Sequence, residues 1–138
     1  MRRPLVIIMA RWPGIGQGKT RLAASTSPAR AAQFQRHSLS VLIARLGLDP
    51  RWDFALALTP TMRWRQARRH RDFMALTLID QGPGDLGQKI TRLIRQHHQL
   101  GRPVMIIGSD TPSVSTADIL TAQRALRHHD VVFGPAGD

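Results

Sequence analysis

The residues with the clearest chemical potential lie in the segment 5–22, LVIIMARWPGIGQGKTRL. Gly14, Gly16 and Gly18 are followed at once by Lys19, Thr20 and Arg21. Glycines let a backbone approach a ligand closely and take positive φ. The N–H groups at a helix start, helped by two cations, favour an anion. A helix dipole disfavours Lys and Arg at its N-terminus unless an anion is bound, so a phosphate or diphosphate is the expected guest. The second group is Gly108-Ser109-Asp110-Thr111-Pro112, directly after the apolar run VMII. A carboxylate beside phosphates commonly holds Mg²⁺, a hard cation that prefers oxygen ligands. The alternative role for Asp110 is an Asx turn or cap above a strand.

These groups need elements to position them. Residues 5–9 form a short, β-branched apolar run, which predicts a strand buried on both faces. Ser27 and Pro28 predict a helix start, as N-cap and first helical residue, with the helix running to 46 and Gly47 ending it. Its apolar stripe is Ala32, Leu39, Leu42, Ile43 and Leu46. His37 lies near that stripe without an obvious partner and reads as structural or surface. A second strand is expected over 52–59, stopped by Pro60, and an exposed helix over 61–70. A third strand is expected over 73–80. After the loop 81–84, Asp85 is a plausible N-cap for a helix reaching about 100. The fourth strand is expected over 104–107. Ser115 and Asp118 make a capping-box-like start for a helix to 128, and 130–134 reads as a fifth strand.

Strands alternating with helices imply right-handed βαβ units and a parallel sheet covered on both faces, a three-layer α/β/α Rossmann-like fold. With the order 3-2-1-4-5, strands one and four would adjoin at the switch point where such sheets bind ligands. The Lys19 loop would then stand beside Asp110.

Composition narrows the function classes. The chain of 138 residues fits one domain, 1–138, with a core of ordinary size. There is no cysteine, which excludes disulfides, thiolate metal sites and cysteine nucleophiles and fits a cytoplasmic location. No apolar run has membrane-spanning length. His97 and His98 point to different faces of a helix, as do His128 and His129, so neither pair predicts a metal site. The formal charge is +11, with no glutamate and with arginine far more frequent than lysine. The run RWRQARRHR, 63–71, has the spacing of a solvated helix and no accompanying nucleic-acid motif, so nucleic acid is not the expected partner. A P-loop is excluded in the same way. Its pattern needs glycine five places before Gly18, where Pro13 stands and supplies no N–H.

The segment RWPGIGQGKTRL resembles the Lys-x-Pro-x-x-Gly-x-x-Lys-Thr-Arg-Leu opening of a bacterial family of GT-A-type glycosyltransferases, the arsenosugar-biosynthesis or selenium-domain-associated transferases. Pro13, Gly16, Lys19, Thr20, Arg21 and Leu22 match, and Arg11 stands where the family has Lys. Gln81 with Gly84-Asp85-Leu86-Gly87 resembles the second motif, residues 107–112 the third, and residues 129–136 the fourth. The Lys-Thr-Arg-Leu and Ser-Asp-Thr-Pro pieces are also similar to molybdenum-cofactor and phospholactate guanylyltransferases, which share the nucleotide-diphospho-sugar transferase superfold.

The resemblance implies a glycosyltransferase that takes a nucleotide-sugar donor, with Mg²⁺ or Mn²⁺ as cofactor and an acceptor it does not identify. By it, Arg11, Gly14, Gly16, Gly18, Lys19, Thr20 and Arg21 would hold the nucleotide phosphates. Gly84 and Asp85 would lie along the nucleoside. Lys19 and Asp110 would serve catalysis, and Asp110 with Asp138 would ligate the metal. Nucleotidyl transfer to a small phosphorylated substrate is the alternative on the same phosphate loop. A non-catalytic basic protein that binds nucleotide or nucleic acid is the alternative from another class. The family pattern continues past the fourth motif with Asp-Gly-Gly-Tyr and a further segment, whereas this sequence has Gly137 and then Asp138. The resemblance therefore implies a shortened acceptor side and better donor binding than turnover; a sheet ending at the fifth strand would leave an unpaired edge, so either a homodimer or poor solubility is expected.

Overall fold

The computed structural model describes residues 3–12, 27–98 and 101–134. Gly14, Gly16, Gly18, Lys19, Thr20, Arg21 and Asp138 lie outside the described residues.

The apolar run at the start of the chain forms β1 (Leu5–Arg11), with Val6, Ile7 and Ile8 fully buried. It is flanked by β2 (Asp53–Thr59) and β4 (Val104–Gly108), with β3 (Thr77–Ile79) outside β2. The order is β3-β2-β1-β4, and every pairing is parallel. Leu5 stands opposite both Asp53 and Val104, so the three central strands begin level and their carboxyl ends share one edge. Strands one and four are neighbours, as the pattern of alternating elements implies.

Period-two alternation along β1 divides the core between the two faces of the sheet. Val6, Ile8 and Ala10 face α1 (Pro28–Leu46), whose Leu39, Leu42, Ile43 and Leu46 are buried against them. Ile119, from α4 (Thr116–Ala125), joins the same cluster. On the other face, Leu5, Ile7, Ala55 and Ala57 are covered by Leu93 of α3 (Leu86–His98). This is the three-layer α/β/α arrangement. The caps are those the sequence implies. Ser27 accepts from the backbone N–H of Arg30, and Gly47 donates to the carbonyl of Ile43. Ser115 and Asp118 form a reciprocal capping box.

Three expectations need correction. The third strand is confined to Thr77–Ile79 instead of spanning 73–80. Residues 71–76 are turns, because Phe73 leaves the strand line to plug the core at 0% exposure and the Arg68 guanidinium takes the carbonyls of Met74 and Leu76. The helix expected over 61–70 is a 3-10 turn (Thr61–Arg63) followed by the five-residue α2 (Trp64–Arg68). Residues 130–134 are not a fifth strand, so the described sheet has four strands where about five were expected. Val131 is 65% exposed and Phe133 90%, so the apolar pattern that suggested a strand finds no sheet to lie on among the described residues.

Candidate functional site

The carboxyl edge of the sheet is where the functional residues converge. β1 ends in Arg11, exposed and opposite Thr59 of β2. The next residue, Trp12, is turned inward at 5% exposure, and its backbone N–H donates to the Thr59 carbonyl at 2.7 Å. Its ring meets Phe73 edge-on at 5.5 Å, and the Arg36 guanidinium of α1 lies 5.8 Å from its centroid. An arginine over an indole face gains from the ring quadrupole. Trp12 therefore anchors the chain at the point where it enters the glycine-rich segment.

On the other side of β1, Gly108 ends β4 opposite Met9, and the Ser109 N–H donates to the Met9 carbonyl at 3.2 Å. Asp110 stands two residues beyond, exposed, in a turn that the Thr111 hydroxyl closes on the Gly108 carbonyl at 2.9 Å. A Cβ at position 108 would come within 3.0 Å of an Asp110 carboxylate oxygen, so glycine there lets the carboxylate fold back over the strand end. The structure thus brings Arg11 and Asp110 to the same edge on adjacent strands.

The loop after β3 reaches the same edge from two strands away. Gln81 is 5% exposed, and its amide donates to the carbonyls of Ala57, at 2.7 Å, and Ala10, at 3.2 Å. One side chain thereby ties this loop to both β2 and β1. Arg92 of α3 grips the loop from below by donating to the carbonyls of Gln81 and Pro83. Gly84 has φ +110, a conformation that L side chains rarely adopt.

Asp85 proves to be a helix cap. Its carboxylate accepts from the Gln88 N–H at 2.8 Å, while the Gln88 amide oxygen accepts from the Asp85 N–H at 2.9 Å. An open hollow of about 640 Å³ runs from Asp85 along the outside of α3, past Gln88, Thr91 and Arg95.

Among the described residues no three metal-ligating side chains come together, so they do not form a closed protein cage for a cation. Residue types and spacing pointed to Asp110, and the family resemblance to Arg11, Gly84 and Asp85. They did not point to Trp12, Arg36 or Arg92. Gln81 entered only as part of a motif, with no role. The one advance signal for Gln81 and Trp12 was a large side chain at the end of a buried apolar run, where a partner on the neighbouring strand is the usual reason.

The fold is that of the Rossmann-like nucleotide-sugar transferases: a parallel sheet between helices, with its candidate site at the carboxyl edge. The chain belongs to the family described as "Uncharacterized protein conserved in bacteria (DUF2064)", which matches residues 42–138. It is similar in structure to a protein from Desulfovibrio desulfuricans G20 that is provisionally described as a nucleotide-diphospho-sugar transferase. The TM-score is 0.82 and the identity 20%, over 93% of this chain and 56% of that one. This chain thus spans little more than half the length of that protein. No curated protein matches the sequence.

Proposed function

We propose that this chain is a nucleotide-sugar-binding transferase domain, of the kind its motifs resemble in the arsenosugar- and selenium-associated glycosyltransferases. The observation that carries the reading is the adjacency of the β1 and β4 carboxyl ends, with Gly108 opposite Met9. A glycine-rich segment with Lys19, Thr20 and Arg21 leaves the first strand, and a carboxylate at Asp110 leaves the second. The fold likeness supports the same reading.

In this proposal Arg11, Lys19 and Arg21 offset the charge of the donor diphosphate, and the N–H groups of Gly14, Gly16 and Gly18 bond its oxygens. Thr20 would add a hydroxyl donor. Gly84 and Asp85 would border the nucleoside, with Gln81 holding their loop against β1. Asp110, with Asp138 as a second carboxylate, would hold Mg²⁺ or Mn²⁺. That ion, when bound, would add positive charge where the leaving nucleoside diphosphate accumulates negative charge. Lys19 would stabilise the same leaving group with its own charge.

Thermal-shift titrations with nucleoside diphosphates and nucleotide sugars, with and without Mg²⁺ or Mn²⁺, test the donor site. The expected result is a rise in melting temperature that needs both nucleotide and metal. Asp110→Asn should keep the unliganded melting temperature within a few degrees and remove the metal-dependent part of the shift. A full metal-dependent shift in Asp110→Asn would reduce Asp110 to a turn residue. No shift with any nucleotide would remove the donor site. Product analysis then separates the chemistries. Sugar transfer consumes a nucleotide sugar and an acceptor, while nucleotidyl transfer consumes a nucleoside triphosphate and releases pyrophosphate.

A further inference from the structure

Residues 54–71 contain five arginines and no acidic side chain. The 3-10 turn and α2 formed from them have two distinct faces. Inward, the Trp64 indole N–H donates to the Leu58 carbonyl at 2.9 Å, Ala67 is fully buried, and Arg68 is spent on the Met74 and Leu76 carbonyls. Outward, Met62, Arg65 and Arg69 follow one another at the i, i+3, i+7 spacing of a single face. Met62 is 81% exposed, and Arg65 and Arg69 are exposed with no side-chain partner among the described residues. Met74 is 60% exposed, its carbonyl held by Arg68, and the exposed Arg71 follows α2.

Arg65 and Arg69 are like charges one turn apart. An external array of negative charge would relieve that repulsion. Exposed methionines next to the cations add a second requirement, because they gain only where apolar surface leaves water. A bilayer with anionic headgroups meets both needs: phosphates for the guanidiniums and the acyl boundary for the methionines. Nucleic acid meets only the first. A five-residue helix is too short to fill a major groove, and Trp64, the nearest large aromatic, is turned inward and cannot stack on bases.

We propose that Met62, Arg65 and Arg69, flanked by Arg71 and Met74, form a docking face for an anionic lipid surface. No helix among the described residues is long and apolar enough to cross a membrane, so the contact is peripheral. Because α2 leaves the carboxyl end of β2, docking there turns the candidate donor edge toward the lipid. An acceptor carried in or on the membrane would then be within reach. This inference rests on the arginine face alone and stands or falls separately from the donor reading.

Co-sedimentation with vesicles tests it. One set is phosphatidylcholine alone, and the other is phosphatidylcholine mixed with phosphatidylglycerol. The full chain should bind the mixed vesicles, and the binding should weaken as salt is raised. Arg65→Gln with Arg69→Gln should weaken it about 25-fold, at roughly fivefold per arginine. Met62→Gln should weaken the part that survives high salt. Both arginines are exposed, so the circular dichroism and the nucleotide-dependent melting shift should stay as in the parent chain. Equal binding to both vesicle types, or undiminished binding by the double variant, would overturn the proposal. So would tighter binding to duplex DNA than to the mixed vesicles at the same salt.

Discussion

Gln81 is the polar residue on which the carboxyl edge most depends. Its amide satisfies two buried carbonyls on two strands, those of Ala10 and Ala57. Gln81→Leu keeps the bulk and removes one hydrogen bond to each carbonyl, at an expected cost of about 1–3 kcal/mol in urea unfolding. Gln81→Glu should cost more at neutral pH, since a carboxylate would face two carbonyl oxygens. That extra cost should shrink on acidification, because a protonated carboxyl can donate to one of them. Equal stability of the glutamate variant and the parent at neutral pH would show that the amide does not carry the contact. None of this was legible beforehand, because a glutamine after a strand reads as loop and its two acceptors lie far away in sequence. Asp110 was legible because it sits in the short turn after an apolar strand, and Arg11 because it stands at a position the family motif fills with Lys.

At the scale of the element, local signals served well and apolar runs served less well. Caps are settled within four residues, so Ser27, Gly47, Asp85 and the Ser115–Asp118 box could be read in advance. Ser115→Ala should cost about 1 kcal/mol by thermal or urea unfolding, because the first turn of α4 loses its side-chain acceptor. The run FMALTLID could be read as strand throughout, yet only three of its residues pair. Phe73 is taken from the strand to fill the space between Trp12, His70 and the core. Phe73→Ala should therefore cost on the order of 3–5 kcal/mol. A fully exposed strand residue would cost a small fraction of that, and the size of the measured loss distinguishes the two placements.

Across the whole molecule, charge is distributed differently at the two ends of the sheet. The carboxyl edge holds the candidate site and the outward arginines of α2. The amino edge holds an ion-pair cluster in which Asp53 accepts from Arg3, at 2.8 Å, and from Arg102, at 2.7 Å. His97, in the last turn of α3, places its Nε2 there, buried and without a hydrogen-bond partner among the described residues. Burial, and then the nearby Arg102 charge, hold its pKa below the usual 6.5. The unfolded chain then binds a proton that the folded chain resists, so this group's contribution to stability falls as pH drops below about 6.5. Urea midpoints for the parent and His97→Gln, measured well above and well below that pH, check the sign. The variant should lose less stability on acidification. An equal or steeper loss would mean that His97 accepts its proton as readily in the folded chain as in the unfolded one.

The sequence by itself determined the order of the elements, the parallel class of the sheet, the helix caps and the turn that bears Asp110. Periodicity, caps and glycines act over a few residues, so a linear reading captures them. Only the tertiary structure decided where the third strand stops and that residues 130–134 do not pair. It also decided that Gln81, Trp12, Arg36 and Arg92 brace the edge. Each of these outcomes depends on which side chain fills a space or reaches a carbonyl contributed by a distant segment, and such competition is resolved only when the layers pack.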